Sequence, residues 1–163
     1  MDEGVDFQLM MMKNKILLQN RKVNYDYNIL YSLEAGIVLH GSEVKSLRTG
    51  KAGIVDSFVY PRNGEAYIHN FYIANYVHTS SYQHDNYRVK KLLLHKREIN
   101  KLIGQVKKTG VSIVPVKVYL NKKNIIKLEI AVVTGKKKFD KRQVIKKREW
   151  DRKKSSILKH NVS

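Results

Sequence analysis

Val111-Ser112-Ile113-Val114-Pro115-Val116-Lys117-Val118-Tyr119-Leu120 and Ile125-Ile126-Lys127-Leu128-Glu129-Ile130-Ala131-Val132-Val133-Thr134 stand either side of Asn121-Lys122-Lys123-Asn124. Two apolar runs about a short polar turn read as a long β-hairpin. Pro115 is the awkward residue, because a proline suits only an edge strand or a bulge. Working outward, Ser57 to Tyr60 and Glu65 to Ile73 flank Pro61-Arg62-Asn63-Gly64, and Asn-Gly is a strong hairpin signal. Tyr25, Tyr27, Ile29 and Tyr31 alternate with more polar neighbours, and Ala35 to His40 gives a further short run. Two helices interrupt these strands. Ser42 is placed to cap the first, with Glu43 in its first turn and Gly50 as its stop. The second spans about Lys96 to Thr109, where Ile99, Leu102, Ile103 and Val106 form an apolar stripe ended by Gly110. Short antiparallel strands with two outer helices predict a mainly β fold, a small oligonucleotide-binding (OB)-like barrel.

Charge narrows the function. The 163 residues carry 32 Lys and Arg against 14 Asp and Glu, a net +18, which calls for an anionic partner. From Gly135 to the end there are 12 Lys/Arg and 3 Asp/Glu, half of that excess in 29 residues. The expected organisation is an acidic extension over 1–11, a barrel over 12–134 and a basic tail over 135–163. The extension is either frayed or precedes a true start at one of the methionines up to Met12. The tail is expected to be disordered when free and helical on a partner, since an isolated helix of its length is marginal in water. No run approaches the roughly 20 apolar residues of a membrane span, and the chain has no cysteine for a disulfide or thiolate site. A cytoplasmic protein with no membrane partner follows.

Enzymatic readings find little support. The histidines at 40, 69, 78, 84, 95 and 160 lack metal-site spacing, and Ser80 and Ser81 sit in no nucleophile elbow. Glu34, Glu43, Asp56 and Glu65 could serve a metal-dependent nuclease, but their places at turns and strand starts explain them equally well. No cofactor and no metal is expected. Basic residues instead gather in sets: Asn20-Arg21-Lys22, then Lys45 with Arg48 on one helical face, then Arg88, Lys90 and Lys91. Together with nearby tyrosines they favour RNA, read through phosphates, ribose hydroxyls and base stacking.

Several of these stretches carry a family resemblance. Asn20-Arg21-Lys22, Glu34-Ala35-Gly36-Ile37, Gly41 through Arg48, Asp56-Ser57, Lys91 through Ile99 and Gly135 through Arg142 resemble, in order, the SsrA-binding protein (SmpB) family. The resemblance runs from about Met12 to Asn161. It implies an RNA-binding adaptor whose barrel grips the tRNA-like domain of transfer-messenger RNA for ribosome rescue. Glu34 and Leu93 would take part in that grip. Arg21, Lys45, Lys91 and Lys127 would lie near the RNA, with Asn20, Lys22 and Arg48 beside them. The tail residues Gly135, Lys136, Lys137, Phe139, Asp140, Lys141, Arg142 and Trp150 would enter the empty messenger channel and meet small-subunit ribosomal RNA at the decoding centre. Elongation factor Tu would belong to the delivery complex, and the protein would be a monomer.

Departures from the family pattern stand at Asn86, where Pro is usual, and at Lys90, Ile125 and Phe139. Lys90 lacks the planar fork of the usual Arg, so a weaker or reshaped RNA contact is expected there. A carboxylate cannot attract phosphate, so Glu34 should accept a hydrogen bond from a base edge, a ribose hydroxyl or a basic neighbour. The rival readings are a general single-strand-binding barrel, a metal-dependent nuclease and a structural ribosomal protein.

Overall fold

Asn63 and Gly64 both adopt left-handed backbone, φ 53° and 74°, as a two-residue hairpin turn demands. The computed structural model in which they sit describes residues 14–76, 85–136 and 138–160, excluding the side chains of 138–141, 143, 144 and 160. The expected extension over 1–11, with His78, Ser80, Ser81, His84 and Lys137, lies outside the described residues.

In chain order the elements are β1 (Lys15–Gln19), α1 (Val23–Asp26), β2 (Tyr27–Ile37), α2 (Gly41–Arg48), β3 (Ala52–Gly53), β4 (Phe58–Arg62) and β5 (Glu65–His69). There follow β6 (Tyr72–Ile73), β7 (Lys90–Leu93), α3 (Lys96–Val106), β8 (Val111–Leu120), β9 (Ile126–Gly135) and α4 (Lys138–His160). The main sheet is antiparallel, in the order β1-β8-β9-β2-β7-β5-β4, while β3 and β6 form a separate small pair. Because β4 returns to lie against β8, six strands curl around one core and β1 is added outside. Leu47, Ile68, Phe71, Leu92, Leu102, Ile113, Leu128 and Ile130 fill that core. The expected OB-like barrel is what this arrangement forms.

Local departures from the expectations have physical causes. The runs at 25–31 and 35–40 are mostly one strand, β2, whose pairing with β9 continues through Glu34 after a bulge between Ile29 and Tyr31. Tyr25 falls in α1 instead. Strands β1 and β7 were not foreseen, because five and four residues are too short to show a period. The N-cap of α2 is His40 rather than Ser42, and Glu43 reaches back to accept the His40 N–H at 2.8 Å. Pro115 does sit at a bulge, and its carbonyl accepts the Asn20 side-chain amide at 3.3 Å. Strand β9 runs through Gly135, paired with Tyr27, and Lys136 donates to the Asp26 carbonyl at 3.0 Å and, through Nζ, to the Asn24 carbonyl at 2.6 Å. Gly135 and Lys136 are thus held on β2 and α1.

A buried ion cluster ties α2 to β7. Glu43 is 0% exposed, with Arg88 Nη2 at 2.5 Å and Lys90 Nζ at 3.8 Å. Lys90 is also fully buried, and its ammonium donates to the carbonyls of Phe71 at 3.0 Å and Arg88 at 2.8 Å. Burial drives the Lys90 pKa down to about 8, against the opposing pull of Glu43. Burial pushes Glu43 up, but the Arg88 hydrogen bond, the His40 amide and the two cations together hold its carboxyl below its ordinary value.

Residues Lys138–His160 form the helix α4 with no partner in place. Its described side chains are all exposed, and Arg148 lies 5.9 Å from the Tyr25 ring centroid. With so little burial, α4 should show near-zero amide-exchange protection in the free protein, against strong protection of Leu128 to Val133. Truncation after Lys136 should leave the barrel's Tm within about 2 °C. Glu43→Gln removes one charge from a buried cluster and should cost about 3 kcal/mol at neutral pH by denaturant titration. Since Glu43's folded pKa is lowered, its contribution is present above the ordinary value of 4.5 and is lost as pH falls below it. The Gln variant should therefore show a flatter stability profile below that pH than the parent.

Candidate nucleic-acid interface

Strand alternation decides which side chains of β7 face outward. Lys90 and Leu92 point into the barrel, so Lys91 and Leu93 must point out. Cross-strand pairing carries that outer face sideways: Tyr119 opposes Lys127, Lys127 opposes Gly36, and Gly36 opposes Leu93. Tyr119, Lys127, Gly36 and Leu93 thus stand in one row across β8, β9, β2 and β7. Gly36 is needed there, since an added Cβ would lie 3.1 Å from the Leu93 Cβ. Leu93 stays 54% exposed, an apolar side chain presented on a strongly cationic protein. Glu34, Gly36, Leu93, Leu94, His95, Glu98 and Lys127 line an open hollow of about 480 Å³.

Glu34 sits two residues along β2 from Gly36, directly opposite Glu129 on β9. Facing carboxylates repel, and each has its own counterweight. The Tyr119 hydroxyl donates to Glu34, and Lys117 Nζ lies 3.2 Å from Glu129. Burial, the Glu34 hydrogen bond and nearby carboxylates all raise the Tyr119 pKa, so the phenol stays a donor. The partner of Glu34 is accordingly a tyrosine hydroxyl, not the basic side chain considered from sequence. Glu34 remains exposed, with acceptor capacity left for an incoming hydroxyl or amine. A carboxylate, an exposed leucine and a lysine on a rigid sheet suit a ribose or base edge flanked by phosphate.

The remaining expected site residues are placed as follows. Lys91 is on the same outer face, ion-paired to Glu65 at 2.9 Å. Lys90, counted from sequence among the RNA-facing cations, is not on the surface. It is inside, on Glu43. Arg88 likewise faces Glu43 and donates to the Val38 carbonyl at 3.2 Å. Asn20 is 6% exposed and engaged on Pro115. Arg21 and Lys22 are exposed beside α1, roughly 30 Å along β2 from Gly36 at ~3.3 Å per residue. They lie near the root of the tail rather than near Leu93. Lys45 and Arg48 are exposed on α2, with Lys45 5.5 Å from the Tyr76 ring. In the tail, Arg142 and Trp150 are exposed on α4, while the side chains of Phe139, Asp140 and Lys141 lie outside the description.

Sequence reasoning missed Tyr119, Gly36 as a spacing residue, and the Lys117–Glu129 pair. The available signal was register: once the β8–β9 hairpin is aligned, Lys117 faces Glu129 and Tyr119 faces Lys127. Three of the four carboxylates considered for a nuclease have separate partners: Glu34 meets Tyr119, Glu43 meets Arg88, and Glu65 meets Lys91. Among the described residues no three His, Asp or Glu side chains gather as a metal site, and no helix is long and apolar enough to cross a membrane.

The SmpB protein family model matches residues 17–160. The SsrA-binding protein of Wolbachia pipientis wMel is 50% identical over 148 residues, which is 91% of this chain and 99% of that protein. Its counterpart in Persephonella marina is 51% identical over 148 residues, covering 91% and 97%, and that of Enterococcus faecalis 46% over 149, covering 91% and 96%. A chain of the solved structure "tmRNA-SmpB: a journey to the center of the bacterial ribosome" is 45% identical, with a TM-score of 0.63 over 74% of this chain and 85% of that one. On the family match and on relatives of nearly equal length, the chain belongs to the SmpB protein family.

Proposed function

We propose that this chain is an RNA-binding adaptor that holds the tRNA-like domain of transfer-messenger RNA and delivers it to stalled ribosomes for trans-translation. The observation that carries the proposal is the identity of about half the residues with SsrA-binding proteins across 91% of the chain. The barrel's part is to grip. Glu34, Leu93 and Lys127 form the centre of the contact and Lys91 adds charge at its edge, with Lys45 and Arg48 on α2 close to the start of β7.

The tail's part is to occupy. As a helix of 23 residues α4 extends roughly 35 Å at 1.5 Å per residue, enough to follow an empty messenger channel. Gly135 and Lys136 fix its root on the barrel. Lys137, Phe139, Asp140, Lys141, Arg142 and Trp150 meet small-subunit ribosomal RNA at the decoding centre. The chain performs no bond chemistry itself; peptide transfer belongs to the ribosome. It acts as a cytoplasmic monomer, delivered in a complex that includes elongation factor Tu.

The two parts separate by mutation. Glu34→Ala with Leu93→Ala should weaken binding to folded transfer-messenger RNA at least ~10-fold, about 1.4 kcal/mol. Unchanged affinity would remove the grip from this face. Replacing Asp140, Lys141 and Arg142 with Ala should leave that affinity nearly intact and abolish tagging of stalled chains in a reconstituted translation assay. Normal tagging would contradict the tail's role.

A further inference from the structure

The outer face described above does not stop at β7. Lys91 opposes Tyr67 on β5, and Tyr67 opposes Tyr60 on β4, so this second row runs on past Lys91. At ~4.8 Å between strands, Tyr60 lies about 10 Å from Lys91. The outward positions of β4 are Phe58, Tyr60 and Arg62, and those opposite on β5 are His69, Tyr67 and Glu65. Three of these six are Phe or Tyr, in a chain where 9% of residues are Phe, Trp or Tyr, and His69 adds a fourth ring.

Their geometry suits flat partners. Phe58 and His69 stack with centroids 5.0 Å apart and planes 8° from parallel. Tyr60 is 51% exposed and Phe58 42%. Tyr60, Arg62, Tyr67, His69 and Val89 line a shallow hollow of about 460 Å³. Tyr60 and Tyr67 face each other across the hairpin with Cβ atoms on the order of 5 Å apart, so their rings offer two adjacent stacking surfaces, and the Phe58–His69 pair stands one outward position, about 6.8 Å, further along. Arg62 makes no ion pair among the described residues, whereas Glu65 is held by Lys91 and the Tyr67 hydroxyl. An aromatic cluster beside a guanidinium that makes no ion pair among the described residues, on a protein of net charge +18, fits an anionic strand with exposed bases.

From this we infer that the β4–β5 hairpin is a base-stacking platform that takes unpaired nucleotides of the RNA held at Glu34, Leu93 and Lys127. The inference rests on the RNA-binding reading above. Tyr60 and Tyr67 each stack on a base, the Phe58–His69 pair ends the row, and Arg62 takes a phosphate.

The test compares three full-length variants with the parent in binding to folded transfer-messenger RNA at fixed salt. Tyr60→Ala with Tyr67→Ala should lower affinity about 10-fold or more, while Tyr60→Phe with Tyr67→Phe, which keeps the rings, should restore it. Glu34→Ala with Leu93→Ala supplies the control for the neighbouring site. If the Ala pair on the hairpin binds like the parent while the Glu34/Leu93 variant is weakened, the platform is refuted and the RNA-binding face stands. If neither variant is weakened, both readings fail. Independently of mutant folding, photo-crosslinking of the parent to RNA carrying 4-thiouridine in unpaired segments should map adducts to Tyr60 or Tyr67. Adducts confined to other segments, or a protein captured at the hairpin in place of RNA, would overturn the inference.

Discussion

A carboxylate with no exposure to water must be met by cations, and in this barrel that requirement joins two elements distant in sequence. Glu43 stands in the first turn of α2; Arg88 and Lys90 lie at and just before the start of β7. Burying an acid costs several kcal/mol unless its charge and lone pairs are met. The cluster meets that cost only when α2 and β7 hold one mutual position. Lys90 must then face inward, and the two-residue alternation of the strand turns Lys91 and Leu93 outward. The surface proposed to meet RNA is in this sense the reverse side of an interior ion cluster.

Gly36 and Tyr119 complete the same surface by opposite means. Gly36 removes a side chain so that Leu93 can lie over β2. Tyr119 adds a hydroxyl that settles Glu34 opposite Glu129. The result is a rigid sheet bearing a carboxylate held by a tyrosine, an exposed leucine, and lysines beside them. Rigidity favours recognition of a folded RNA shape, whereas charge alone would bind any polyanion.

Much of the fold was legible because its signals are local. Asn63-Gly64 announces a hairpin, and the apolar stripe from Ile99 to Val106 announces α3. The β8–β9 hairpin and the bulge at Pro115 follow from apolar runs and from proline's missing N–H. What escaped depended on distant partners. Arg88 and Lys90 look like surface cations until Glu43, more than forty residues earlier, is brought beside them. Asn20 looks like part of a basic surface set until the bulge at Pro115 offers it a carbonyl. Strands β1 and β7 carry too few residues to show a period. At the candidate site, Glu34, Leu93 and Lys127 were named through family resemblance; their assembly on one face depended on a register that no single segment contains.

The central claim is that this face selects a folded RNA rather than charge. It is tested most directly by comparing affinity for folded transfer-messenger RNA with that for an unrelated single-stranded RNA of equal length, at about 0.15 M salt, where screening acts over roughly 8 Å. The account predicts a preference of ~100-fold or more, about 2.7 kcal/mol. Equal affinity for the two RNAs would mean that the positive charge alone does the binding, and would contradict it.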